Sequence, residues 1–248
     1  MSKFVVSSFV VLSLLLIHGC AAKSKFEPAP PSPYLNIPGV DRNAKLANVP
    51  FDHSWVREGF DIDSYSKVII RPVQTKYVNT ANWMESVSGI VTSEANYKKE
   101  VDALAALTAE KFKEAFSKTE ANRFRVANKP DGGTLAIELA LTEVVFGKPV
   151  TNAAALASPI PGTSAAVSAV TDPRVAFEAK VFDASTGQLI ATAADRASST
   201  ARVINLNKFT ATSACNDIVE NWADLFVQVF NDAEVTKVSR KRFEIKPW

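Results

Sequence analysis

Between Thr134 and Arg196 the chain carries the pattern that most narrows its fold. Leu135, Ile137, Leu139 and Leu141 alternate with Ala136, Glu138, Ala140 and Thr142. Val175, Phe177, Ala179 and Val181 alternate in the same way with Ala176, Glu178 and Lys180. A two-residue period places one set of side chains on a core and the other set on the opposite face of a strand. Asp183-Ala184-Ser185-Thr186-Gly187 then forms a short loop, and Gln188 to Arg196 returns as the partner strand. A chain committed to these strands must cover at least one sheet face with something apolar.

Two stretches offer that cover. From Ser93 to Ser117, Tyr97, Val101, Leu104, Thr108, Phe112 and Phe116 recur every three or four residues. Lys98, Lys99, Glu100, Lys111 and Lys113 fall mostly elsewhere, which predicts an amphipathic helix ~36 Å long. Ser93 or Thr92 is placed to cap it. From Ser213 to Asn231, Cys215, Ile218, Val219, Trp222, Leu225, Phe226 and Val229 form a second stripe. Before the first helix, Ser66 to Val73 reads as a buried strand closed at Pro72. Residues 75–92 lack a clean period and predict an irregular connection with a turn or short helix around Trp83 and Met84. Arg123 to Ala127 is a further short strand, ended by Lys129-Pro130-Asp131-Gly132-Gly133. The order is strand, helix, four strands, helix. It predicts an α+β domain with a mixed or antiparallel sheet of about five strands and two main helices packed on it. No internal repeat is visible.

The N-terminus is of another kind. Lys3 precedes an apolar run from Phe4 to Ile17, too short for the ~20 residues that span a bilayer and of the length of a secretory signal core. Ile17-His18-Gly19-Cys20 follows, and it resembles the lipobox of bacterial lipoproteins. His18 stands where that family carries a small or aliphatic residue. The resemblance implies cleavage before Cys20, acyl chains on its thiol and new amino terminus, and a membrane anchor made of lipid. Each buried acyl methylene contributes ~0.8 kcal/mol, so several chains hold firmly where one does not. Ala21 after the cysteine, in place of an aspartate, implies sorting to the outer membrane, facing the periplasm. Residues 1–19 are then the signal peptide.

Residues 20–50 hold the anchor and Pro28, Pro30, Pro31, Pro33, Pro38 and Pro50, with few large apolar residues. Such a stretch buries too little to offset its ordering entropy. It is expected to be a tether, with a proline-rich ligand for a partner as the alternative. The folded domain is expected to run over 51–234, followed by a basic tail, 235–248, around Arg240-Lys241-Arg242.

The chemistry is defined mainly by what is missing. With 28 Lys+Arg against 26 Asp+Glu the chain is close to neutral, so no basic excess points to nucleic acid. Cys20 is assigned to lipid, which leaves Cys215 without a disulfide partner and predicts it as a small buried hydrophobe. After processing His53 is the one histidine, in Asp52-His53-Ser54, and a neighbouring Asp and Ser in sequence do not make a catalytic triad. No Cys/His cluster has zinc spacing, and no glycine-rich phosphate loop or dinucleotide fingerprint occurs. No catalytic residue, metal or cofactor is predicted.

One stretch stands apart from the core pattern. Residues 147–173 form a long insertion rich in Ala, Ser, Thr and Pro, without charge between Lys148 and Asp172. Leu156, Ile160, Val167 and Val170 are scattered through it. It is expected to be either a partner-binding or self-association element, or a spacer whose length costs little in closure entropy.

Three motifs carry a second resemblance. They are Asp63-Ser64-Tyr65-Ser66-Lys67-Val68 running into Arg71-Pro72-Val73; Leu141-Thr142-Glu143-Val144; and Val181 to Leu189 followed by Asp195-Arg196. With Asn221-Trp222-Ala223 they resemble a family of bacterial lipoproteins known only as a domain of unknown function, DUF3313. The resemblance covers about residues 51–232. It implies an envelope lipoprotein with an α+β domain and names no catalytic residue. The element order is also similar to periplasmic domains of other envelope lipoproteins, including the curli secretion channel. The expected function is that of a lipid-anchored, non-enzymatic interaction or structural protein of the envelope. The alternative is a subunit of an oligomeric outer-membrane secretion or pore-type assembly. The oligomeric state is left open, and the expected partners are the membrane, through Cys20, and an envelope protein.

Overall fold

The alternation along residues 134–198 is realised as three long antiparallel strands. The computed structural model describes residues 27–47, 49–86, 91–118, 122–146, 173–198 and 212–231. In chain order its elements are β1 (His53–Val56), β2 (Lys67–Ile70), α1 (Trp83–Ser86), α2 (Glu94–Ser117), β3 (Arg125–Val126), β4 (Thr134–Val145), β5 (Arg174–Asp183), β6 (Leu189–Ser198) and α3 (Ser213–Asn231). Single 3-10 turns occupy Pro33–Leu35, Ile62–Ser64 and Thr80–Asn82.

The sheet has six strands in the order β1-β6-β5-β4-β2-β3. β1, β6, β5 and β4 pair antiparallel, whereas β2 lies parallel to both β4 and β3. The class is α+β with a mixed sheet, as expected, but with one strand more than the sequence suggested. The added strand is β1. Its four residues are too few to show a period, and it is held by register against Thr192, Ala193 and Ala194 of β6.

Register explains which residues meet the helices. Opposite one another on β4 and β5 stand Ile137 and Val181, Leu139 and Ala179, and Leu141 and Phe177, all buried. A bulge between Leu141 and Glu143 keeps Val144 and Phe146 on the same side. α2 and α3 pack on this face. The spacing-predicted residues Tyr97, Val101, Leu104, Thr108, Phe112 and Phe116 all face inward, and Ser93 Oγ caps α2 by accepting from Asn96 N–H at 3.2 Å. Trp222 and Phe226 of α3 sit at the centre. The Phe177 ring stands edge-on to Trp222 at 4.7 Å, and Phe112 meets Phe226 at 5.0 Å. Cys215 is buried, as expected, and burial pushes its thiol up to about 12.

The hairpin between β5 and β6 is built by one carboxylate. Asp183 Oδ1 accepts from the backbone N–H groups of Ser185 and Thr186, both at 2.8 Å, and from the Ser185 hydroxyl. Gly187 closes the turn at φ +72°, a left-handed geometry that favours glycine. Tyr65 donates its hydroxyl to Asp183 Oδ2 at 2.8 Å and so ties the turn to the chain ahead of β2. The Ser185 hydroxyl bond, opposed by partial burial and helped by Thr186 and Tyr65, holds the Asp183 carboxyl well below the usual carboxylate range. A depressed folded-state value gives stability that is present above the unfolded value of ~3.9 and is lost as pH falls toward the folded one. Asp183→Ala is therefore expected to cost about 1 kcal/mol at neutral pH. The gap between variant and wild type in urea midpoint should begin to narrow below about pH 4 and keep narrowing as the pH falls further.

The tether expectation requires correction. Residues 27–47 do not stand away from the domain. Residues 28–37 lie against the sheet face that α2 and α3 leave open, with Tyr34 and Leu35 buried there, and Ala44 and Leu46 bond to Ser54 of β1. The expectations for Cys20, for Leu156, Ile160, Val167 and Val170, and for the basic tail fall outside the described residues. Of the 147–173 insertion, only Pro173 falls within them.

Candidate functional site

The face turned away from the helices is made of what the alternation leaves over. Ala136 and Ala140 of β4, Ala176, Glu178 and Lys180 of β5, and Thr192 and Ala194 of β6 share it. Alanines give a shallow surface on which another segment of chain can lie close. The residues from Pro28 to Ile37 lie there as a strap. Pro28, Pro30, Pro31 and Pro33 carry no backbone N–H, so that stretch covers a sheet face with few donors to satisfy.

Two backbone donors and a hydroxyl of the strap converge on one residue. Glu178 Oε1 accepts the Ser32 N–H at 2.7 Å, and Oε2 accepts the Ser32 hydroxyl at 2.5 Å and the Leu35 N–H at 3.2 Å. Ser32 Oγ also accepts from Tyr34 N–H at 3.0 Å, which starts the 3-10 turn. Arg42 Nη2 donates to the Ser32 carbonyl at 2.5 Å. Glu178 is itself only 4 % exposed, and its carboxylate is fixed in place by these directed bonds. Beside it, Lys180 Nζ lies 4.1 Å from the centre of the Tyr34 ring, and Tyr77 packs against the same ring, tilted by 58°, at 5.1 Å. Burial, then the charge of Glu138, pushes the Tyr34 phenol well above its ordinary value.

A cavity of about 290 Å³ opens where the strap passes over β6 and β1. Its walls include Pro30, Arg42, Asp52, His53, Glu178 and Asp195. His53 Nε2 is 2.9 Å from the Thr192 hydroxyl, and burial lowers the imidazole below its ordinary value, so it is held neutral. Asp195 Oδ2 accepts from the Trp222 indole N–H at 2.9 Å, and Oδ1 accepts from Asp52 N–H at 3.2 Å. Glu178 and Asp195 are thus each engaged by donors of the fold. A general base needs a free lone pair within reach of a substrate proton, and both of these carboxylates already accept hydrogen bonds from the fold. Among the described residues no cluster of His, Cys, Asp and Glu is spaced to hold a metal ion.

A second polar group marks one end of the sheet. Glu143 on β4 pairs with Arg196 of β6 at 2.7 Å and with Arg174 of β5, which also reaches Glu85 of α1 at 2.5 Å. Arg196 Nη1 donates to the carbonyl of Glu27 at 3.2 Å, so the strap enters the fold at this end. The motifs singled out in the sequence meet each other here and across the sheet. Tyr65 meets Asp183, Glu143 meets Arg196, and Asp195 meets Trp222. They are the polar joints of the fold. Glu178, which sequence reasoning missed, gave no signal, because a glutamate alternating with apolar residues reads as solvent-facing.

Among the described residues no helix is long and apolar enough to cross a membrane. Residues 47–226 match the family described as "Protein of unknown function (DUF3313)". No curated protein matches the chain. Solved structures similar to it include the PelC dodecamer from Paraburkholderia phytofirmans, at 12 % identity and a TM-score of 0.33, over 69 % of this chain and 96 % of that one. A point variant of that dodecamer in another crystal form is similar at 12 % identity and a TM-score of 0.32, over 69 % of this chain and 94 % of that one.

Proposed function

The chain belongs to the DUF3313 family of proteins of unknown function, and on that footing we propose that it is a lipid-anchored cell-envelope protein that works by contact and not by catalysis. The acceptor of the lipid is the Cys20 thiol, and the domain is held on the periplasmic face of the outer membrane. The observation that carries this reading is the strap. The chain that follows the anchor is bonded into the sheet at Glu178 and Arg196, an arrangement suited to a domain held by its N-terminal end. That Glu178 and Asp195 at the cavity already accept hydrogen bonds from the fold supports the non-catalytic half of the proposal.

The test is metabolic labelling with radioactive palmitate, followed by density-gradient separation of membranes. Wild type is expected to carry label and to travel with outer-membrane markers, and Cys20→Ala is expected to lose both. Equal labelling of the two proteins, or recovery with inner-membrane markers, contradicts the reading.

A further inference from the structure

We infer that the end of the sheet where β4 finishes and β5 begins is the membrane-facing surface of the domain, its partner being the lipid surface itself. The inference rests on the Cys20 anchor proposed above, and it adds which way the domain points.

Reach is the first argument. The chain is fixed to the fold from Glu27 onward, since Arg196 holds the Glu27 carbonyl and Glu178 holds Ser32 and Leu35. Only the residues from Ala21 to Glu27 separate that point from the anchor. Fully extended, they span at most ~25 Å. β4 is 12 residues long, which corresponds to ~40 Å along the strand. The Arg196 end is therefore kept within a short leash of the bilayer. The opposite end, at the Asp183–Gln188 turn, lies a strand length further along.

Surface chemistry is the second argument. At the leashed end α1 packs against the end of β4, with Ser86 Oγ accepting from Phe146 N–H at 3.1 Å and Glu85 pairing with Arg174. This short helix presents Met84, 69 % exposed and the most exposed large apolar side chain among the described residues. Trp83 beside it is half-buried. An apolar side chain next to an indole suits the headgroup boundary of a bilayer, where amphipathic rings settle. Among the described residues the cations Arg174 and Arg196 at this end are matched by Glu85 and Glu143, so their approach to lipid brings ion pairs and not lone charges. The far end is a polar turn of Asp183, Ser185, Thr186 and Gln188, the last three exposed.

The test uses the mature acylated protein in vesicles of phosphatidylethanolamine and phosphatidylglycerol. Acylation blocks the Cys20 thiol, and Cys215 is buried with its thiol pushed up to about 12, so one introduced cysteine takes a fluorescent donor cleanly. Met84→Cys marks the near end and Gln188→Cys the far end; both sites are exposed. Energy transfer to a lipid-borne acceptor is expected to be several-fold stronger from position 84. A second pair of proteins carries about twenty Gly/Ser residues inserted between Ala22 and Lys23, adding ~25 Å of root-mean-square reach. In that pair the transfer from position 84 is expected to fall. Equal transfer from both positions, stronger transfer from position 188, or no response to the spacer overturns the orientation while the anchor stands. Protein that fails to float with the vesicles overturns the anchor and the orientation together.

Discussion

Glu178→Ala is expected to lower the unfolding free energy by about 2–4 kcal/mol and to free the strap. Its carboxylate is the shared acceptor for two backbone N–H groups and a hydroxyl, and the residue is only 4 % exposed. Removing it leaves those donors without a partner, and each buried unmet polar group costs ~1–3 kcal/mol. Relief of burying a carboxylate offsets part of that loss, so the net lies below the simple sum. If the strap detaches, Tyr34 and Leu35 also return to water and the Lys180–Tyr34 contact is lost. Glu178→Gln keeps the shape and one acceptor oxygen, and it should fall between the alanine variant and wild type. Urea unfolding of the three proteins checks the order. Limited proteolysis should show cleavage between residues 28 and 40 in the alanine variant alone.

The largest single loss is expected at Trp222. Its ring is buried between the sheet and α3, packs edge-on to Phe177 at 4.7 Å, and donates to the buried Asp195 at 2.9 Å. Trp222→Ala removes the packing and the donor together, and large aromatic truncations of this kind cost ~3–5 kcal/mol. Trp222→Phe separates the two contributions. It keeps most of the apolar contact and takes away the indole N–H, leaving Asp195 one donor short at a cost of about 1–3 kcal/mol. Combining Trp222→Phe with Asp195→Ala should recover part of that loss, because the acceptor that lacked its donor is gone. Thermal or urea unfolding reads all three. A phenylalanine variant as stable as wild type would show that Asp195 does not depend on the indole.

How much of this was legible in the sequence differs by element. α2 announced itself because Tyr97 through Phe116 keep a helical spacing for about five turns and all six marked residues reach the core. β4 and β5 were legible because one set of alternating residues is apolar for most of their length, and β6 because the Asp183–Gly187 turn makes it the return strand of a hairpin. β1 was not, since four residues hold no period and its place depends on β6, far along the chain. The parallel placement of β2 between β4 and β3 is likewise a property of long-range pairing, and the local sequence of Lys67–Ile70 says only that a buried strand is there.

The strap shows why composition misled. Residues 28–37 hold too few apolar groups to cover the entropy of ordering an ordinary chain. Prolines, however, have little backbone freedom to lose, and so the cost of docking is smaller than composition suggests. Tyr34 and Leu35, with the acceptors of Glu178, then suffice. Glu178 itself could not be recognised, because a glutamate on the outer face of an alternating strand is what a solvated surface looks like. The residues the sequence singled out for function, Cys20 with Leu156, Ile160, Val167 and Val170, lie outside the described residues. The candidate site came from the structure alone.

The strap, residues 28–37, is held as part of the fold through Glu178. Amide hydrogen exchange at Ser32 and Leu35 in the mature protein tests this most directly. The account predicts that both amides exchange slowly in wild type, with protection close to that of β5 amides, and rapidly in Glu178→Ala. Exchange at the rate of a free chain in wild type, with β5 still protected, would contradict it.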